Sequence, residues 1–169
     1  MARVLLALLL CCSVFVVGSL ADRALVESLC KESQHGDLCL SSLLADRRST
    51  LCGDKACVAS VFLDISQKNV SATINYVNGL IGKRPPEVDK LQYCVTLYSN
   101  ALDDVKEAIH QMNAKAYWDA ENSMTDAARY PPDCEDSAPN LLSQQNKMLD
   151  DLFDISWELL DNLVPLPLV

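Results

Sequence analysis

Residues 87–113 have the sequence EVDKLQYCVTLYSNALDDVKEAIHQMN. Apolar side chains recur in it every seven residues, at two positions that lie three places apart. The first series is Val88, Val95, Leu102 and Ile109, and the second is Leu91, Tyr98, Val105 and Met112. Because an α-helix has about 3.6 residues per turn, the two series form one apolar seam along a helix. A seam that continues over four heptads predicts a helix that packs in a bundle.

Three further bundle helices are predicted, one before this segment and two after it. The first is predicted over residues 54–82, with Asp54 as its cap, and its apolar arc is wide enough to contact two neighbouring helices. The next is predicted over residues 114–129, and the Pro131-Pro132-Asp133 segment that follows ends it. The last is predicted over residues 140–163. No segment alternates with strand period for long enough to predict a sheet, so the sequence indicates an all-α fold.

Residues 22–50 are predicted to form a short helical hairpin ahead of a bundle at residues 54–163. Two apolar patches in this segment are separated by Gln34-His35-Gly36-Asp37, residue types that are typical of turns, and Asp37 is a candidate cap for the second helix. Each helix is too short to be stable alone. A disulfide between Cys30 and Cys39 would hold them together.

Residues 1–21 have the features of a signal peptide. Arg3 precedes an apolar run at residues 4–17, and Ser19-Leu20-Ala21 offers small residues for cleavage. The run is short for a membrane span, so we expect an exported single domain of residues 22–169. Cleavage removes Arg3 and no acidic residue, which changes the formal net charge from −9 to about −10. Such a charge disfavours nucleic acid and anionic membranes as partners and suits a neutral or basic protein.

The predicted mature chain contains six cysteines, which in an exported protein indicate disulfides rather than a metal site. They are Cys30, Cys39, Cys52, Cys57, Cys94 and Cys134. Six cysteines allow many pairings, and the sequence does not choose between them. Cys52 lies just before the predicted helix start and can curl back to Cys57. A third disulfide at this pair, two free thiols and another pairing all stay open.

The charged residues show no pattern typical of a catalytic or metal site, and we predict no enzyme activity, cofactor or bound metal. His35 and His110 each lack a second ligand on the same element, and His110 with Glu107 is interpreted as a surface pair. Asp103, Asp104 and Glu107 are interpreted as a solvated face opposite the seam. Contact with a basic enzyme is the alternative interpretation of these three acids.

Asn69-Val70-Ser71 matches the acceptor pattern for N-linked glycosylation. A helical projection places Asn69 inside the apolar arc of its helix, between Phe62 and Tyr76. A glycan at that position would interfere with packing. We therefore expect this candidate glycosylation site to be unoccupied.

Several short segments, taken in their order and spacing, resemble the plant invertase and pectin methylesterase inhibitor family. They are Leu29-Cys30, Cys39 with Leu43, Leu91-Gln92-Tyr93-Cys94 with Tyr98 and Ala101, Tyr117-Trp118-Asp119-Ala120 with Met124 and Ala127, Cys134-Glu135-Asp136, and Asn146. The resemblance implies an up-and-down four-helix bundle preceded by the hairpin, with disulfides Cys30–Cys39 and Cys94–Cys134. It also implies a protein that inhibits invertase or pectin methylesterase in the cell wall or vacuole, by forming a complex with the enzyme.

The target enzyme depends on a turn between the second and third bundle helices. Invertase inhibitors of this family carry Pro-Lys-Phe there, and the matching residues in this chain are Asn113, Ala114, Lys115, Ala116 and Tyr117. A proline would reduce the entropy lost when the turn inserts into an enzyme, so its absence disfavours invertase. The chain also lacks the Ser-Asn-Ala-Leu ending common in pectin methylesterase inhibitors. We predict a secreted inhibitor that blocks a substrate cleft in a 1:1 complex, with pectin methylesterase slightly ahead of acid invertase.

Two other classes are compatible with the sequence. The first is a lipid carrier. Small exported lipid carriers usually have adjacent cysteines and a Cys-x-Cys motif, and residues 22–169 have neither, because the adjacent Cys11-Cys12 pair belongs to the predicted signal peptide. A family member without inhibitory activity, such as a pollen-allergen-like protein, would have the same fold. For the leading hypothesis we expect the extracellular space, or apoplast, rather than the vacuole.

Overall fold

The computed structural model describes residues 23–165, which form seven α-helices and one 3-10 turn. They are α1 (residues 23–32), α2 (Gly36–Ala45), the 3-10 turn (Ser49–Leu51), α3 (Lys55–Ile81), α4 (Val88–Asn113), α5 (Tyr117–Ala127), α6 (Tyr130–Ser137) and α7 (Ser143–Asp161). These described residues contain no strand, so the predicted all-α fold is confirmed. The predicted signal peptide at residues 1–21 lies outside the described range.

The bundle consists of α3, α4, α7 and the α5–α6 pair. Helix α3 packs against α4 and α7, and α5 and α6 each pack against the same two helices, α4 and α7. Because the connections are short, consecutive bundle helices run antiparallel. The start of α3, the α4–α5 turn and the end of α7 therefore lie at the same end of the bundle. The opposite end carries the α3–α4 connection.

Helix α3 has the predicted limits. The Asp54 carboxylate accepts a hydrogen bond from the Cys57 amide at 2.8 Å, and Gly82 lies at the C-terminal cap. The prediction that α3 contacts two bundle helices is also correct. Its apolar arc is narrower than the projection indicated, however, because the Tyr76 side chain is 51% exposed.

The third bundle helix differs from its prediction. The sequence predicted one helix over residues 114–129, ended by Pro131-Pro132, whereas the structure has α5 ending at Ala127 and a second helix starting at Tyr130. The two prolines lie in the first turn of α6. Amides in the first turn of a helix have no partner within the helix, so residues without an amide hydrogen are well tolerated there. The prolines therefore begin α6.

The hairpin of α1 and α2 is closed by the Cys30–Cys39 disulfide, whose Cα atoms lie 5.4 Å apart. Helix α2 begins at Gly36, with His35 at its N-cap position. Asp37 was predicted as the cap, but it lies in the first helical turn. A carboxylate there interacts favourably with the positive end of the helix dipole, so Asp37 still stabilises the helix start.

Side chains of α7 hold the hairpin against the bundle. The Gln34 backbone amide donates a hydrogen bond to Glu158 Oε1 at 3.1 Å. The His35 ring lies between two carboxylates, with Nδ1 3.6 Å from Asp151 Oδ1 and Nε2 3.4 Å from Asp154 Oδ2. The turn of the hairpin therefore docks on the acidic side of α7.

The other two disulfides belong to the bundle. Cys94 on α4 is bonded to Cys134 on α6, and their Cα atoms lie 5.1 Å apart. Cys52 is bonded to Cys57, with the Cα atoms 5.3 Å apart. Cys52 precedes α3 in an extended conformation, which lets the chain turn back to the first helical turn. This third bond stabilises the start of α3.

Buried polar side chains connect the helices inside the bundle. The Tyr98 hydroxyl on α4 donates to Asn146 Oδ1 on α7, and Asn146 Nδ2 donates to Glu135 Oε2 on α6 at 2.8 Å. The hydroxyls of Ser66 on α3 and Ser156 on α7 lie 2.9 Å apart. Burial raises the pKa of Tyr98 well above its ordinary value, so the hydroxyl stays protonated and acts as a donor. These bonds favour one register of the helices.

Candidate functional site

Helix α4 ends in a hydrogen-bonded turn at the predicted inhibitory residues. The Ala116 amide donates to the Gln111 carbonyl at 2.9 Å, and the Lys115 amide donates to the Met112 carbonyl at 3.0 Å. These two bonds are those of a Schellman motif, a common helix C-terminus. The turn is therefore held by main-chain hydrogen bonds without a proline.

Lys115 has an unusual backbone conformation within this turn. Its φ angle of 60° lies in the left-handed region, at the position of the motif that glycine usually occupies. A residue with a side chain costs roughly 1–2 kcal/mol in this conformation. The side chain is exposed and makes no ion pair within residues 23–165. Arg84 and Asn140 also have positive φ angles, so the conformation alone does not mark a functional site. Lys115 is a candidate contact residue because it is exposed and lies in the predicted inhibitory turn.

The other residues of the turn divide into exposed and half-buried positions. Asn113 and Ala114 are exposed, while Ala116 and Tyr117 are half-buried. The Tyr117 ring packs against the bundle core. The next residue, Trp118, is 63% exposed and is the more accessible aromatic side chain. The sequence matched Tyr117 to the aromatic residue of the Pro-Lys-Phe turn, whereas the structure leaves the neighbouring Trp118 as the more exposed of the two aromatic side chains.

Trp118 lies three residues before Glu121 on α5, a spacing that places the two side chains on the same face of the helix, and α5 packs against α7. The Trp157 indole lies beside the Glu121 carboxylate, and Trp157 is 39% exposed. Burial raises the pKa of Glu121, and the charge of Asp161 at the end of α7 adds to this effect. We call residues 113–118 together with Glu121, Trp157 and Asp161 the turn surface. Sequence reasoning missed Glu121 and Asp161; the three-residue spacing from Trp118 to Glu121 on one helix face was the available signal.

Two of the three predicted contact acids are exposed on α4. Asp103 Oδ1 accepts from Lys106 Nζ at 2.9 Å, and Glu107 Oε1 accepts from Gln111 Nε2 at 3.0 Å. Glu107 also lies 4.0 Å from the His110 ring, as predicted for a surface pair. Asn113 follows Glu107 by about 9 Å along the helix axis. Glu107 is therefore the nearer of the two acids to the turn, and Asp103 lies about 15 Å from Asn113 along the axis.

Asp104 differs from its two neighbours. It is half-buried beside Tyr130 of α6, and its Oδ2 atom has no hydrogen-bond partner. Burial raises the pKa of Asp104, and the neighbouring carboxylates of Asp126 and Asp103 raise it further. The interpretation of Asp104 as part of a solvated face is therefore wrong.

Asn69 lies away from the turn surface, near the middle of α3. It is partly exposed, and its Nδ2 atom donates to the Ile65 carbonyl at 2.9 Å. The projection placed Asn69 inside the apolar arc, but the structure places it at the margin of that arc, where α2 leaves part of α3 uncovered.

Residues 23–165 contain neither a candidate metal centre nor a membrane-spanning helix. No group of histidine, cysteine, aspartate and glutamate side chains in this range could hold a metal ion. No helix in the same range is long and apolar enough to cross a membrane.

The described residues form a disulfide-stapled helical bundle with an exposed, hydrogen-bonded turn at one end. The chain belongs to the plant invertase/pectin methylesterase inhibitor family, whose sequence model matches residues 24–159. The resemblance found in the sequence is thus confirmed. Members of this family are inhibitor proteins and not enzymes.

Two curated relatives from Arabidopsis thaliana are similar in sequence. The chain is 28% identical over 142 residues to cell wall / vacuolar inhibitor of fructosidase 2, a match that covers 79% of this chain and 78% of the relative. It is 31% identical over 108 residues to cell wall / vacuolar inhibitor of fructosidase 1, covering 63% of this chain and 52% of that relative.

Two crystal structures have the same fold. A mutant form of a pectin methylesterase inhibitor from Arabidopsis superposes with a TM-score of 0.70 at 17% identity, over 80% of this chain and 95% of the other. A pectin methylesterase inhibitor from Arabidopsis thaliana gives a TM-score of 0.62, also at 17% identity, over 83% and 96% of the two chains. At this identity the likeness bears on the fold alone.

Proposed function

We propose that this chain is a secreted inhibitor of acid invertase (β-fructofuranosidase), which it blocks in a 1:1 complex by inserting the turn surface into the mouth of the substrate cleft. The observation that carries the proposal is the sequence similarity to two inhibitors of fructosidase, at 28% and 31% identity. The likeness to pectin methylesterase inhibitors lies at 17% identity and carries no information on the target.

The absence of a proline from the turn disfavours invertase as the target, but the hydrogen bonds of the turn compensate for it. A proline would favour binding because it limits the freedom that the free turn loses in a complex. The two Schellman hydrogen bonds at Lys115 and Ala116 limit that freedom in its place. Part of the ordering entropy is therefore already lost in the free inhibitor.

The charge of Lys115 is complementary to a glycosidase cleft. Most glycoside hydrolases cleave their substrates with a pair of Asp or Glu carboxylates, which lie on either side of the scissile bond. An exposed ammonium group on a fixed turn can approach such a pair and exclude the substrate. The exposed indole of Trp118 adds apolar contact area beside it.

Pectin methylesterase is the second candidate, and two observations favour it. The chain has no proline before Lys115. Its aromatic residue, Tyr117, is half-buried and comes two places after the lysine, whereas the aromatic residue of the Pro-Lys-Phe turn comes directly after it. The exposed acids Asp103 and Glu107 would suit a basic enzyme of either class.

The proposal includes the processing and location of the chain. Residues 1–21 direct export, and residues 22–169 form one inhibitor domain, with the hairpin at residues 22–50 and the bundle at residues 54–163. The relatives are described as cell wall / vacuolar inhibitors, which supports the extracellular space, with the vacuole second.

A paired assay of the purified, oxidised chain against acid invertase and pectin methylesterase tests the proposal. We expect inhibition of invertase at equimolar concentrations, and a weaker complex for Lys115→Ala. Arg84→Ala is the matched control, because Arg84 is also an exposed cation with positive φ but lies at the opposite end of the bundle. Inhibition of pectin methylesterase alone would reverse the order of the two targets. Inhibition of neither enzyme would contradict the proposed function and favour a non-inhibitory family member.

A further inference from the structure

The sequence contains one acceptor pattern for N-linked glycosylation, Asn69-Val70-Ser71, in the second half of α3. Packing against the core was the reason to expect Asn69 to be unmodified. The structure removes this reason, because Asn69 and Ser71 are both partly exposed and only Val70 between them is buried. The Asn69 side chain therefore has access to solvent in the folded protein.

Asn69 lies at the rim of an open groove between α2 and α3. The groove has a volume of about 610 Å³. Its lining includes Asp46, Arg47, Ile65 and Lys68 beside Asn69. The groove can therefore hold a sugar residue attached to Asn69.

The lining of the groove has the chemistry that a sugar needs. Arg47 and Lys68 are exposed and form no ion pair within residues 23–165, so their N–H groups are free to donate to sugar oxygens. Asp46 is not free in this way, because its carboxylate accepts from the Arg48 guanidinium at 2.7 Å. The side chain of Ile65 provides an apolar wall for the face of a sugar ring.

We propose that Asn69 carries an N-linked glycan whose first N-acetylglucosamine lies in the groove between α2 and α3. The proposal rests on the passage through the secretory pathway that belongs to the proposed function. The donor is a lipid-diphosphate-linked oligosaccharide. The Asn69 amide nitrogen forms a bond to the anomeric carbon, the bond from that carbon to the diphosphate oxygen breaks, the lipid diphosphate leaves, and the amide gives up one proton to a base of the transferase.

The transfer takes place before α3 folds. In the folded chain Asn69 is in the middle of a helix, and its Nδ2 atom is bonded to the Ile65 carbonyl. A transferase needs this amide free, which requires an unfolded segment. When α3 forms, the neighbouring Ser66 and Val70 face the core, so the attached sugar turns towards the open groove and contacts α2. The glycan then links the hairpin to the bundle.

Expression in yeast, with a yeast secretion leader in place of residues 1–21, tests the modification. We expect the mass of the secreted chain to exceed that of the polypeptide by hexose and N-acetylhexosamine units that peptide N-glycosidase removes. Ser71→Thr keeps the acceptor pattern and should keep the added mass. Ser71→Ala destroys the pattern, leaves Asn69 in place and should be secreted without the added mass. A wild-type chain secreted at the mass of the bare polypeptide would overturn the proposal.

The position of the glycan has a separate test. Peptide N-glycosidase should release the glycan several-fold more slowly from the folded chain than from the urea-unfolded chain. Arg47→Ala should speed release from the folded chain, whereas Arg84→Ala, which removes an exposed cation far from the groove, should not. Equal release rates from the folded and unfolded chains would rule out the groove. Inhibition by the unglycosylated Ser71→Ala chain is measured separately, so a failure here is distinct from a failure of the proposed function.

Discussion

The Tyr98 hydroxyl on α4 donates a hydrogen bond of 2.5 Å to Asn146 Oδ1 on α7, inside the bundle. The same hydroxyl lies 3.1 Å from Cys134 Sγ on α6, and Asn146 donates in turn to Glu135 of that helix. Three helices therefore meet at one buried polar group. The residues contributed to the family resemblance separately, and the fold brings them into contact beside a disulfide.

Replacement of Tyr98 by phenylalanine should destabilise the bundle. The change leaves Asn146 Oδ1 buried without a donor, so the free energy of unfolding should fall by about 1–3 kcal/mol, as measured by urea denaturation. Tyr93→Phe is the control, because the Tyr93 side chain is 51% exposed and its loss of a hydroxyl should have little effect. If Tyr98→Phe were as stable as the wild type, the buried network would not contribute to stability.

Lys115→Gly should stabilise the fold and weaken inhibition at the same time. Glycine adopts the left-handed conformation at φ 60° without strain, so the free energy of unfolding should rise by about 1 kcal/mol. The loss of the ammonium group should reduce affinity for the target enzyme. Thermal unfolding and inhibition titrations measure the two effects.

Arg84→Gly is the matched control for this variant. Arg84 has φ 53° and is an exposed cation at the other end of the bundle. The Arg84→Gly variant should therefore gain stability in the same way, while its inhibition of the target enzyme should be unchanged. Equal inhibition by the Lys115→Gly and Arg84→Gly variants would show that the strain at Lys115 has no functional reason.

Asp104→Asn should stabilise the protein in a pH-dependent manner. Burial raises the pKa of Asp104 above the unfolded value of 3.8, so ionisation opposes folding. The penalty grows as pH rises from the unfolded pKa to the folded pKa, and it is complete above the folded pKa. The variant should be more stable at pH 7 by roughly 0.5–1 kcal/mol, the scale of a partly screened charge interaction. At pH 3 the carboxyl is protonated in both states, and the difference should shrink. A gain that is the same at both pH values would not come from this carboxylate.

Joint replacement of Cys52 and Cys57 by serine should destabilise the start of α3. Chain entropy gives roughly 2 kcal/mol for closing so short a loop, so urea denaturation should show a loss of about this size. The Asp54 cap remains, and the variant should keep its helical circular dichroism at room temperature. Unchanged stability would mean that the cap alone is sufficient to begin the helix.

The exposed acids of α4 should act on the rate of complex formation. If the target enzyme is basic, neutralising Asp103→Asn and Glu107→Gln together should slow association and reduce its dependence on salt, with little change in dissociation. Stopped-flow or surface measurements at low and physiological salt test this prediction. An association rate of the wild type that does not depend on salt would contradict the electrostatic contribution.

Much of the fold follows from local patterns that act within one or two turns of helix. The heptad seam of residues 87–113 specifies α4, and the carboxylate of Asp54 specifies the start of α3, because periodicity and capping depend on neighbouring residues. The break between α5 and α6 is different. Pro131 and Pro132 are compatible with the end of one helix or the start of another, and the packing of α6 between α4 and α7 decides between the two.

The candidate site was predicted in part. The sequence placed the turn at residues 113–117, but the strain at Lys115 was not visible, because lysine carries no signal for a left-handed conformation. The burial of Asp104 depends on Tyr130, which reaches it from α6. The exposure of Asn69 depends on how much of α3 the hairpin covers. A helical projection gives the direction of each side chain and no information on the neighbour it meets.

The sequence by itself therefore determined the helices, the all-α class, the family and the position of the turn, since these depend on short-range periodicity, residue types and spacing. Only the tertiary structure decided which surfaces are open. Residues that are distant in the chain meet at three places. Tyr98 contacts Asn146, the His35 ring lies between Asp151 and Asp154, and α2 and α3 form the groove beside Asn69. Their physical origin is the packing of whole helices against one another, which no local pattern encodes.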